Sequence, residues 1–148
     1  MNPNVKFAER TAVLATLDPA SVAAGTVVTT WVPVANFHSF AALINTGVLG
    51  TAATLDAKLR QATDATGTGA KDIPGKAIAQ IVKASGDNKQ AIVECRSDDL
   101  DHDGGFAWVA LSATVGVAAS IFSATLLGVH PRYAPASAFN QASVVQTV

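Results

Sequence analysis

Charge is what this sequence has least of. Asp, Glu, Lys and Arg make up 14% of its 148 residues, well below the usual quarter. A lone globule needs charged side chains to keep its surface solvated. A chain this poor in them is expected to cover part of its surface with a partner or with copies of itself. The formal net charge is −1, and the ten Lys and Arg residues are scattered. No basic patch marks a nucleic-acid partner, and none is expected. Cysteine is nearly absent too. Cys95 stands alone, which excludes an intrachain disulfide. Its place in the run Ala91–Cys95 reads as a small core residue. Residues 1–10 are polar and lack the apolar stretch of a secretory leader, so synthesis in the cytoplasm is the default expectation.

Motifs with a mechanism behind them are also missing. Gly67-Thr68-Gly69 is not followed by Gly-Lys-Ser/Thr, so it is no phosphate loop. His38, His102 and His130 lack the short spacing of zinc ligands. No nucleophile elbow surrounds a serine, and nothing local supports Cys95 with His38 or His102 as a hydrolase pair. Neither catalysis nor a cofactor is expected. Asp99-Leu100-Asp101-His102-Asp103-Gly104 matches the opening of a calcium loop. The position that must supply a bidentate glutamate is Ala110, so the segment reads as a plain loop entering a strand.

What the chain does have is one uncharged stretch, Phe106–Val129. At about two dozen residues it is long enough to span a bilayer as a helix. Gly116 near its middle and the scattered Ser and Thr residues oppose that, and its valines, isoleucine and aromatics favour strands. The flanks give little orientation signal: four aspartates between Asp98 and Asp103 on one side, only His130 and Arg132 on the other. We read it as a β-hairpin or closely spaced strand pair at the centre of a sandwich, turning near Gly116–Ala118. Neither strand is polar along one whole face, as expected for strands covered on both sides.

Along the rest of the chain, Thr11–Leu17 is a strand or short helix that Asp18-Pro19 ends. Val22–Val34 is an edge strand or a bulged one, because Pro33 has no amide hydrogen for a ladder. Phe37–Asn45 reads as a central strand. In Thr51–Thr63, Ala53, Leu55, Ala57 and Leu59 alternate with Thr54, Asp56, Lys58 and Arg60. Helix propensity there is high, but the clean alternation favours a strand. Asp64–Gly75 is a loop by composition. Ala77–Lys83 is a short strand or a turn or two of helix, and Gln90–Arg96 a strand. About seven or eight short strands between turn clusters predict an all-β, jelly-roll-like antiparallel β-sandwich. A single domain is expected over residues 11–135, with an extended N-terminal arm, 1–10, and a C-terminal tail, 136–148. Trp31 and Trp108 are candidates for a sugar-binding platform, although such residues more often lie partly in the core.

Three stretches carry a resemblance. ATLDAKLRQATDATGTGAKDIPGKA, FAWVALSATVG and ATLLGVHPRYAP together cover about half the chain, from Thr51 onward. They resemble segments of a family of small proteins encoded beside the major capsid gene of tailed bacteriophages. The first is similar to that family's alternating strand, glycine-rich turn and Asp-Ile-x-Gly; the second, to a strand after an acidic turn; the third, to a closing strand with Pro-Arg-Tyr. The resemblance implies a β-sandwich virion protein on the outer capsid surface. It would be a decoration or cement protein, a homotrimer whose partner is the major capsid protein, with no membrane partner. From composition, the expected contacts are Asn2, Val5 and Phe7 in the arm and Phe139, Val144 and Val145 in the tail. A tail or connector component, a carbohydrate-binding sandwich and a small membrane protein are the other readings.

Overall fold

The computed structural model describes residues 3–148. A one-turn helix, α1 (Phe7–Arg10), leads into ten strands among the described residues: β1 (Thr11–Val22), β2 (Gly25–Val28), β3 (Val32–Pro33), β4 (Phe37–Thr46), β5 (Thr54–Ala62), β6 (Lys71–Ala77), β7 (Ile81–Val82), β8 (Gln90–Arg96), β9 (Trp108–Gly116) and β10 (Ser120–Pro131). A second one-turn helix, α2 (Lys83–Gly86), precedes β8, and a 3-10 turn, Ala136–Phe139, follows β10. One sheet runs β1-β10-β4-β8. The other runs β2-β9-β5-β6, with β3 also on β9 and β7 on β5. Every pairing is antiparallel. The fold is the expected all-β antiparallel sandwich.

The core lies between the sheets and follows from alternation along each strand. β5 turns Leu55, Ala57 and Leu59 inward, each at most 2% exposed, and leaves Thr54, Asp56, Lys58 and Arg60 on its outer side. From the other sheet, Phe40, Ala42 and Ile44 of β4 and Phe122, Ala124 and Leu126 of β10 meet them. Each large side chain buried there contributes about 1.5–3 kcal/mol.

Four expectations are corrected. First, β9 and β10 are both strands, with the turn where expected, but they form no hairpin. Residues 117–119 carry the chain from one sheet to the other, and each strand is paired on both edges elsewhere: β9 with β2, β3 and β5, β10 with β1 and β4. Second, β1 does not stop at Asp18-Pro19. The ladder shifts register between Leu17 and Ala20 and resumes, so the proline sits in a bulge that needs no amide hydrogen. Third, the loop after β5 ends at Ala70, because β6 begins at Lys71 and buries Ile73. Fourth, residues 7–10 of the arm are helical rather than extended. The stretch 22–34 splits into β2 and β3. At the break, Thr29 keeps the ladder with β9 by accepting the Leu111 amide on its hydroxyl at 3.0 Å. Pro33 ends the second piece at the sheet edge.

The turn between the sheets holds Val117 at φ 69°, and its side chain is 72% exposed. A β-branched residue is strained in that region. Val117→Gly is therefore expected to raise stability by about 0.5–1 kcal/mol, read as a higher urea midpoint at unchanged slope.

Candidate interaction surface

The two sheets present very different outer faces. On the β5 sheet, Asp72 of β6 pairs with Lys58 at 2.8 Å and Arg60 at 3.1 Å, and Asp56 accepts a hydrogen bond from Gln80 at 2.9 Å. Ala110 and Ser112 of β9 stand opposite Arg60 and Lys58 on that face and are buried beside them. The expectation that both central strands are covered on both sides holds within the chain for β9. It does not hold for β10. Thr125 and Leu127 on its outer side are only half-buried, and Ile121 is 46% exposed.

Around β10 the outer face of that sheet carries almost no charge. Neither β10 nor β4 contains an Asp, Glu, Lys or Arg. The register lines up Thr16, Thr125, Leu43 and Ile92 across four strands. Leu43 is 39% exposed and Ile92 63%. Charge appears only on the two outer strands: Glu94 and Arg96 on β8, and Asp18 in the bulge of β1, where it accepts a hydrogen bond from Thr16 at 3.0 Å. Such a face is uncharged because something apolar covers it, or it is a liability in water.

The two arms named from composition come together at one end of this sheet. The turn Ala136–Phe139 packs on β1 and on α1. Ala136 is fully buried, and Phe139 meets the Phe37 ring edge-on at 5.5 Å. Asn140 Oδ1 accepts the Val13 amide at 2.9 Å, and the Gln141 amide donates to the Val13 carbonyl at 2.8 Å. The first part of the segment set apart as a tail is thus packed on its own domain. Val5 lines a cleft of ≈ 590 Å³ with Glu9, Arg10, Pro131 and Pro135. Phe7 projects outward, 69% exposed. Val144 is half-buried and Val145 is 95% exposed. Asn2 lies outside the described residues.

The remaining candidates resolve into local structure. Asp101 accepts the Gly104 amide at 2.9 Å and pairs with Lys71, while the Asp101 amide donates to the buried Gln61 Oε1 at 2.7 Å. Asp99 accepts the Arg96 amide at 2.7 Å and pairs with Lys76 at 3.1 Å. The carboxylates of Asp99 and Asp101 therefore hold the loop itself. Trp31 packs under the loop after β5, where Gly67, at φ 85°, leaves no room for a side chain: a Cβ there would fall 2.5 Å from the indole nitrogen. Trp108 is half-buried at the start of β9. Burial pushes the Cys95 thiol up to about 12, so it stays protonated and is a poor nucleophile. A second cleft, ≈ 420 Å³, lies beside it, where Ser39 Oγ and His130 Nδ1 stand 3.5 Å apart, at the limit of a hydrogen bond.

Asp72 is held below the usual carboxylate range, first by its hydrogen bond from Lys58. The partners of Asp99, chiefly the Arg96 amide, do the same there. A carboxylate lowered on folding stabilises above its unfolded pKa near 3.9 and loses that contribution as pH falls through the folded value. Stability is expected to fall below about pH 4. Asp72→Asn should flatten that fall by only about 0.2–1 kcal/mol, since the pair is exposed. Thermal melts of both proteins across pH 2–6 check it.

No family model matches the chain, and no curated protein does. Among solved structures it is similar to a prophage-derived protein, YomS of SPBc2, at 8% identity and a TM-score of 0.43, over 78% of this chain and 92% of that one. It is similar to a protein of Triatoma virus at 9% identity and a TM-score of 0.47, over 95% and 74%. It is also similar to a Clostridium thermocellum xylanase 10B fragment, with CBM22-1 and GH10 modules, at 10% identity and a TM-score of 0.44, over 80% of this chain and 27% of that one. These are distant likenesses between β-rich folds.

Proposed function

We propose that the chain is a bacteriophage capsid decoration protein, which binds the assembled shell of the major capsid protein and stabilises it by binding alone, without catalysis. One observation carries the reading. The two central strands of the β1-β10-β4-β8 sheet are free of charge on an outward face that no other element among the described residues covers. The resemblance of the segments after Thr51 to the small proteins encoded beside capsid genes supplies the partner. Ligands that bind only one state of a protein stabilise that state by mass action, by about 2.7 kcal/mol at a hundredfold excess over Kd. A lattice held at many identical points multiplies each weak contact. The arm and tail meet at the edge of the same sheet, where Val5 and Phe7 extend the contact. The carbohydrate-binding reading gains nothing here, since Trp31 lies under a loop and Trp108 is half-buried.

The test is occupancy. Shells stripped of the protein are mixed with the purified chain and imaged by electron microscopy. Ordered density on the outer surface, with a shell that resists heat better than the bare one, supports the proposal. A chain that leaves shells bare at saturating concentration ends it.

A further inference from the structure

The β1-β10-β4-β8 sheet has two edges of opposite character. On β1, the amide and carbonyl of Val13 are already bonded to Asn140 and Gln141. On β8 the outer edge has no strand beside it among the described residues. Which backbone groups are free follows from two bonds. Lys89 is bonded to Thr46 on the β4 side, through its carbonyl and its amide, and the Arg96 amide points the other way, to Asp99. Because both polar groups of a residue in an antiparallel strand face one side, and sides alternate, Ala91, Val93 and Cys95 face β4. Gln90, Ile92 and Glu94 present their amides and carbonyls outward. An unpaired edge with an exposed isoleucine at its middle is a template for another extended chain.

The same chain holds an unpaired strand-former. Val144-Val145-Gln146-Thr147-Val148 is uncharged and mostly β-branched, yet it forms no strand, and Val145 and Val148 are fully open to solvent, at 95% and 102%. It cannot reach its own β8. Gln141 is fixed at β1, three strand spacings from β8, roughly 14 Å away. The three residues from Gln141 to Val144 span about 10 Å at most. They would also have to cross the sheet before turning along its edge.

We infer that residues 144–148 pair as an added strand on the Gln90–Glu94 edge of a second copy of this chain. The tail places no charged side chain beside Glu94, and Val144 and Val148, which share one face of a strand, lie along Ile92. The donor site is at one edge of the sheet and the acceptor at the other, so the contact is head-to-tail. Such contacts generate closed rings when the rotation closes. This goes beyond capsid binding and does not depend on it.

Sedimentation velocity of three proteins tests it: the intact chain, a chain ending at Ser143, and Ile92→Pro. The proline removes an amide that faces outward and so leaves the ladder to β4 whole. The intact chain is expected to sediment as a closed assembly and each variant as a single chain with an unchanged circular dichroism spectrum. An equimolar mixture of the variants should give a two-chain species and nothing larger, since one still donates a tail and the other still offers an edge. An intact chain that stays single, a shortened chain that assembles as the intact one does, or a mixture that forms no pair overturns the inference. Residues 144–148 lie outside the core, so the shortened chain decides alone if Ile92→Pro does not fold. No shell is present in these measurements, so their failure leaves capsid binding standing.

Discussion

Phe37→Ala is expected to cost about 3–5 kcal/mol of folding free energy and to loosen the chain after Pro135. Phe37 is 1% exposed and lies at the junction of three parts of the molecule. Its ring meets Phe40 of the same strand edge-on at 6.2 Å and Phe139 of the C-terminal segment at 5.5 Å. Beneath it, Gly128 of β10 has no side chain because a Cβ there would sit 2.7 Å from the ring. Removing the ring leaves a void that neither glycine nor a paired strand can fill. It also takes away the surface on which Phe139 rests. Urea titration should show a lower midpoint at nearly unchanged slope. Limited proteolysis should cut sooner after Pro135 than in the parent. Phe7→Ala is the control: the ring is 69% exposed, and its loss should change stability by less than about 0.5 kcal/mol. Equal effects of the two substitutions would mean that the C-terminal segment is not part of the packed unit.

The sequence made strands legible where alternation was local and uninterrupted. β5 buries Leu55, Ala57 and Leu59 as written, with Ala53 just before it, and β8 spans Gln90–Arg96 as its pattern predicts. It misled where pairing is set at a distance. Pro19 reads as a stop, yet a bulge against β10 absorbs it. Lys71–Gly75 looks like loop, yet Ile73 is buried and β5 recruits the segment. Phe106–Val129 divides at the right turn, but which sheet each half joins depends on partners from Thr11 to Thr46 and from Thr54 to Ala62. The interaction surface divides in the same way. The absence of charge was plain from composition. That it gathers on the outer face of one sheet follows only from register, because strand side chains alternate and a shift of one residue would bury Leu43 and expose Ile44. The arm and the tail each stood out by composition. Nothing local places them side by side.

Leu43→Asp should weaken shell binding at least about thirtyfold while leaving the fold intact. Leu43 sits in the middle of the uncharged face, between Thr125 of β10 and Ile92 of β8. Its side chain is 39% exposed and makes no hydrogen bond. In the free protein an aspartate there points into water and costs about 1 kcal/mol or less, the usual span of strand preferences. Against an apolar shell surface the same carboxylate loses its water and gains no partner. An unpaired charge in a buried interface costs about 2–5 kcal/mol. At about 1.4 kcal/mol for each factor of ten, affinity falls roughly thirtyfold to several-thousandfold. Asp56→Lys makes a larger change of charge, two units, on the opposite sheet, where ion pairs already face solvent, and should leave occupancy as it was. Isothermal titration onto stripped shells measures both, with thermal melts of the free proteins as the check on folding. If Leu43→Asp binds like the parent, or Asp56→Lys weakens binding as much, the charge-free face is not what meets the capsid. The reason for its missing charge would then lie in contacts between copies of the chain rather than with the shell.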